Sequence, residues 1–117
     1  MDEPMRQRKG MIECFAAAAL LSVIAGLHAG AKEEEIAQRG IRFARDAVMI
    51  KVGDTLHFRN QDDVMHNLMV RDSWNNLQNE GLQKSGAVVT KTFTEAGLFE
   101  IRCAIHPRMK MSVSVEK

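Results

Sequence analysis

A chain of 117 residues with 16 Lys plus Arg against 15 Asp plus Glu carries a formal charge of +1. That length has room for one domain, and the charge balance lacks the basic excess of a dedicated nucleic-acid binder. A hydrophobic fraction of 45% fits neither a disordered chain nor a multi-span membrane protein.

The first stretch differs from the rest. Arg6, Arg8 and Lys9 precede an uncharged run, residues 15–27, made mostly of Ala, Leu, Val and Ile. This is the pattern of a secretory leader, and the apolar run falls short of the roughly 20 residues that span a bilayer. Ala29-Gly30-Ala31 supplies small residues at its polar end, so the reading is a signal peptide over 1–31 and a mature domain over 32–117, periplasmic and without stable membrane insertion. Cys14 and His28 would leave with the leader. Cys103 would then be the sole cysteine of a chain in an oxidising compartment, and therefore free, intermolecular or bound to metal.

From Lys32 onward there is no helical apolar stripe of useful length. Short β-favouring runs separated by turn residues predict strands at 36–43, 48–52, 55–60, 66–70, 89–93, 99–103 and 111–115. About seven such strands point to an all-β, two-sheet sandwich. In the third run Leu56 and Phe58 share one face while His57 and Arg59 share the other, which turns His57 to solvent. Residues 73–86 are rich in Asn, Gln and Gly without clean alternation, and read as a surface connection. Trp74, the only tryptophan, is expected to pack on the core. Glu33-Glu34-Glu35 reads as a solvated terminus.

The chemistry is concentrated near the end, in Cys103-Ala104-Ile105-His106-Pro107-Arg108-Met109-Lys110-Met111. A thiolate, an imidazole and thioethers lie between two strands, and soft sulfur with imidazole suits copper; two His, one Cys and a weak axial Met make the blue-copper pattern. A second His is needed. His57 faces solvent, whereas His66 follows the turn-forming run 60–63 and opens a strand, so His66 is the better ligand. Met109 and Met111 compete for the axial position; the phrase that follows registers best with Met109. Any one of these residues alone would more often be core or surface, and only their conjunction carries the reading.

The phrase Gly53-Asp54-Thr55, then Phe58, Asn60 and His66-Asn67, followed by Cys-x-x-His-Pro-x-Met, resembles the plastocyanin and amicyanin branch of the cupredoxins. The resemblance covers roughly 36–115, and the terminal loop is most similar to that of amicyanin. It implies a Greek-key β-sandwich, one copper ion held through the Nδ1 atoms of His66 and His106 with Cys103 and Met109, and electron transfer through the exposed edge of His106. It also implies that Asn67 braces the two ligand loops with a hydrogen bond. Two features depart from the family. Many relatives have Pro where this chain has Ile105, whose retained N–H is expected to donate a second hydrogen bond to the Cys103 thiolate and raise the potential. Met111 sits at the spacing of the axial ligand in pseudoazurin.

Four protein donors would leave no open coordination position, so an enzyme is not expected. The expected function is one-electron transfer by a periplasmic monomer, with cytochrome c-like proteins or a periplasmic dehydrogenase as partners by family analogy. Arg108 and Lys110 beside the port favour a partner with an acidic rim. The competing reading is a copper-binding or delivery protein, which would prefer an open, methionine-rich site. A structural zinc site is disfavoured by the axial Met.

Overall fold

The computed structural model describes residues 30–117, so the signal peptide expected over 1–31 lies, apart from Gly30 and Ala31, outside the described residues. Those residues form eight strands and no helix: β1 (Glu33–Gln38), β2 (Ala47–Lys51), β3 (Thr55–Asn60), β4 (His66–Arg71), β5 (Leu77–Gln83), β6 (Val88–Thr92), β7 (Gly97–Cys103) and β8 (Lys110–Glu116). They build a sandwich of a three-stranded sheet, β1-β3-β6, on a five-stranded sheet, β2-β8-β7-β4-β5. The pairs β1/β3 and β2/β8 are parallel, and the other pairs are antiparallel. The expected cupredoxin-like sandwich is therefore present.

Period-2 alternation explains why the layers close. The small sheet turns Ile36, Leu56 and Phe58 inward, and the large sheet answers with Val48, Ile50, Leu68, Val70, Ile101, Met111, Val113 and Val115, all buried in one cluster. Phe43 meets Phe58 edge-on with ring centroids 6.1 Å apart, sealing one side of that core.

Four expectations need correction. Residues 73–86 are not a plain connection, because they contain β5 at the sheet edge. A bulge opposite Leu68 and Met69, with Gly81 at φ 108°, breaks the alternation that would have revealed the strand. Trp74 does not pack on the core: it stands 84% exposed on the turn after β4. That turn is tied by the Asp72 carboxylate, which accepts N–H bonds from Trp74 and Asn76, so no strand aims the indole inward. Glu33-Glu34-Glu35 is not a loose terminus but the start of β1, in register with Thr55, Leu56 and His57. Its carboxylates pair with Arg45 and Arg59, and Glu33 lies 3.3 Å from the His57 ring. The strand expected at 36–43 accordingly ends at Gln38, and only a bridge to Phe43 follows.

The strand directions gather the ends that matter. β4 runs antiparallel to β7, with Leu68 opposite Cys103, so the start of β4 and the end of β7 lie at one pole. β3 also ends there, at Asn60. Asp54, which precedes it, lies at the other pole, about 20 Å away at the usual rise per strand residue.

Candidate metal centre

His66 opens β4 and Cys103 closes β7, and both point inward by the parity of their strands. His106 comes from the β7–β8 loop and is partly exposed. The three side chains meet. His66 Nδ1 lies 3.2 Å from His106 Nδ1, Cys103 Sγ lies 3.8 Å from His66 Nδ1, and Cys103 Sγ lies 3.5 Å from His106 Nδ1. These separations test whether an ion fits. Metal bonds of about 2.0 Å to nitrogen and about 2.3 Å to sulfur, spread at 120°, would hold the nitrogens about 3.5 Å apart and each about 3.7 Å from the sulfur. The observed triangle has a centre about 2.0 Å from all three atoms, so the donors are already spaced for a trigonal ion. Among the described residues, this is the group of His, Cys and acidic side chains that converges closely enough to hold a metal.

His57 takes no part. It is half-buried on β3, where its ring bonds Thr90 Oγ1 at 2.8 Å and faces Glu33 at 3.3 Å.

The main chain fixes the loop around the triangle. The Cys103 N–H donates to Met109 O at 3.0 Å, and the Met109 N–H donates to His106 O at 2.9 Å. Met109 is 1% exposed, so its thioether is enclosed beside the loop that carries Cys103 and His106. Met111 is also buried, but it sits in β8 opposite Ile101 as an ordinary core position.

Asn67 bridges the two ligand segments, and it does so through its main chain. Its N–H donates to Cys103 Sγ at 3.4 Å, and its carbonyl accepts the Ala104 N–H at 2.9 Å. The side-chain Oδ1 is buried without a partner among the described residues, because strand alternation turns Asn67 away from the face shared by His66 and Leu68. The Ile105 N–H is not among the groups within bonding distance of Sγ here; Ala104 is tied to Asn67, and the Ile105 side chain is 47% exposed.

Asp62 was missed by sequence reasoning. Its carboxylate accepts N–H bonds from Gly40 at 2.6 Å and Ile41 at 3.0 Å, and its Oδ2 lies 2.8 Å from His66 Nε2. Burial alone would raise its pKa, but these two amides and the His66 ring hold the carboxyl below its ordinary value. Ile41 has a φ of 56°, a left-handed conformation costly for a β-branched residue, and that turn is what aims its amide at Asp62. The signal available was an acid four residues before the ligand, inside a run that otherwise reads as turn formers.

Asn60 and Gln83 were missed as well. Asn60 donates to Val64 O and Gln83 O and accepts the Asp62 N–H, while Gln83 donates to Phe58 O. Both are fully buried and pin the β3–β4 loop from which Asp62 and His66 emerge.

A β-sandwich with a His, Cys, His triangle at one pole defines a small metal-binding protein whose donor set suits copper. The comparison with known families agrees: residues 31–116 match the copper binding proteins of the plastocyanin/azurin family, and the chain belongs to that family. Copper is its cofactor. The chain is 28% identical over 89 residues to the methylamine utilization protein MauL of Methylorubrum extorquens, covering 76% of this chain and 78% of that protein. Among solved structures it is similar to an oxidized amicyanin mutant, at 25% identity and a TM-score of 0.65, over 70% of this chain and 80% of the other. It is also similar to a copper(I) amicyanin mutant, at 26% identity and a TM-score of 0.66, over 79% and 88%. It is thus a cupredoxin of the amicyanin type.

Proposed function

We propose that this chain is a one-electron carrier that holds copper through His66 Nδ1, Cys103 Sγ and His106 Nδ1, with Met109 as a weak fourth donor. Copper bound there supplies one-electron exchange between its +1 and +2 states. The protein's part is to keep the donors fixed. The observation that carries the reading is the triangle itself, spaced for an ion and stitched by main-chain bonds from Asn67 and Met109. With Met109 as the fourth donor, the protein would fill the metal's coordination positions and leave none for a substrate, so we assign no catalytic reaction.

The buried Cys103 and His66 exclude water, and the partly exposed His106 is the group that reaches the surface. Exposed Ile105, Pro107 and Arg108 surround it, which gives an apolar, cationic rim for a transient redox partner. The partners proposed are a dehydrogenase as donor and a cytochrome c-like protein as acceptor; similarity to a protein named for methylamine utilization supports an oxidative setting. We place the carrier in the periplasm, after removal of 1–31. No helix among the described residues is long and apolar enough to cross a membrane.

The test is the visible absorption spectrum of the copper-loaded protein and of Cys103→Ala. An intense copper–thiolate band that vanishes in the variant is expected. Full copper uptake by folded protein without that band would overturn the carrier reading in favour of copper delivery. N-terminal sequencing of exported protein should begin at Lys32.

A further inference from the structure

Four buried polar side chains gather at the pole of the metal centre: Gln38, Asn60 and Gln83 are wholly enclosed, and His66 nearly so. Of these, His66 alone is a ligand. The three amides come from different strands. Gln38 ends β1 and Asn60 ends β3 in the small sheet, whereas Gln83 ends β5 in the large one. Leucine or methionine would fill such positions without desolvating an amide, so the polar groups call for an explanation in terms of direction, which packing alone does not supply.

The hydrogen bonds supply that direction. Gln83 is oriented by two main-chain acceptors, since its Nε2 donates to Phe58 O at 2.9 Å and to Ala87 O at 3.3 Å. Its Oε1 is thereby turned to accept from Gln38 Nε2, at 2.7 Å across the gap between the sheets. The Gln83 carbonyl accepts from Asn60 Nδ2 at 3.0 Å, and Asn60 Oδ1 accepts the Asp62 N–H at 2.9 Å. Asp62 in turn meets the His66 ring. Gln38 reaches the same loop by its main chain as well, its carbonyl accepting the Gln61 N–H at 2.8 Å. In the β4/β5 ladder Gln83 lies opposite His66, so the hub of these bonds and the ligand share one rung.

We infer that the Gln38–Gln83 amide pair is a positioning device for the copper ligand His66, acting through Asn60 and the Asp62 carboxylate. The inference rests on the carrier reading above. Hydrogen bonds of fixed length and direction hold the small sheet at one setting against the large sheet, which carries His66. A small displacement of Asp62 from the ring weakens the bond that fixes the tautomer and orientation of that ligand. Apolar side chains at 38 and 83 would let the two sheets settle by packing, among several near-equal arrangements.

The test is a double-mutant cycle of Gln83→Met and Asp62→Ala, read by chelator competition for copper and by nitrogen-15 NMR of the His66 ring in reduced, copper-loaded protein. Gln83→Met keeps the side-chain length and removes its polar end. It should weaken copper binding about 3- to 10-fold and shift the His66 Nε2–H resonance. Added to Asp62→Ala, it should weaken binding by less than about twofold more, because its route to the ligand is already gone. Gln38→Met breaks the pair but leaves Gln83 bonded to Phe58 O and Ala87 O. It should repeat the result at smaller size, and it carries the test if Gln83→Met does not fold. Ile50→Val, on β2 at the opposite edge of the large sheet, lowers stability without touching these bonds and should leave copper binding and the ring resonance as in the parent. Unchanged affinity in the glutamine variants, a full additional loss in the Asp62→Ala background, or an Ile50→Val loss equal to theirs would overturn the positioning role. The copper–thiolate band reads the carrier separately: its absence from the parent counts against the carrier, whereas the cycle counts against the amide pair alone.

Discussion

His66 Nε2 sits 2.8 Å from Asp62 Oδ2, on the side of the ring opposite the atom that faces Cys103 and His106. A carboxylate at that distance selects the tautomer with hydrogen on Nε2, which leaves the Nδ1 lone pair for the metal. The carboxylate is itself anchored by the Gly40 and Ile41 amides, so the loop after β1 sets the orientation of a ligand on β4.

Asp62→Asn keeps an acceptor but removes the charge. Copper affinity should fall by about 10- to 100-fold, the usual effect of losing such a partner, and the reduction potential should rise because the oxidised site loses a nearby anion. Chelator competition and voltammetry measure the two effects. Unchanged affinity and potential together would show that Asp62 only shapes its loop.

The axial assignment divides two methionines with different surroundings. Met109 belongs to the loop bonded to Cys103 and His106, and Met111 to the core opposite Ile101. Met109→Leu should raise the potential and alter the visible spectrum by removing a thioether donor. Met111→Leu conserves volume and should leave both unchanged, at a stability cost under about 1.5 kcal/mol. The reverse pattern would assign the axial position to Met111.

Hydrogen bonding at the thiolate leads to an outcome opposite to what the sequence implied. The donor to Sγ is the Asn67 main chain, which neither Asn67→Ala nor Ile105→Pro removes. Both variants should keep the copper–thiolate band and a potential close to that of the parent. A clear drop in the potential of Ile105→Pro would show that its N–H bonds the thiolate in the copper-loaded protein.

These cases mark where the sequence was legible. Alternation placed Leu56, Phe58, Ile101 and Cys103 inward and His57 outward, and proximity along the chain put Cys103 and His106 in one loop. His66 emerged by elimination, yet its geometry depends on β4 lying against β7, which no local pattern encodes. β5 was hidden because an edge strand with a bulge keeps only Gln83 fully inside and has no hydrophobic alternation to show. Trp74 misled because apolar size argues for burial, while a turn closed by Asp72 decides otherwise. Asn67 was placed between the ligand loops, but the bridging atoms belong to the main chain, whose bonds residue type does not determine.

At the far pole, Asp54 ties the start of β1 to the β2–β3 turn. Its carboxylate accepts the Lys51 N–H and the Lys32 N–H, each at 2.8 Å. The Lys51 amide, then the Lys32 amide, and the lysine charges outweigh partial burial and lower its pKa. A carboxyl whose folded pKa is depressed contributes stability that is complete above its unfolded value of about 3.9 and is lost as pH falls through the folded one. Asp54→Asn should therefore lower the urea midpoint at pH 7, and the gap from the parent should close as the pH drops below about 4. If processing leaves Lys32 first, its nitrogen becomes an ammonium facing Asp54, and the bond gains charge on both sides. The Asp54→Asn penalty should then be larger in protein that begins at Lys32 than in protein that retains Gly30-Ala31. An equal penalty in both, at every pH, would mean that Asp54 acts through shape alone.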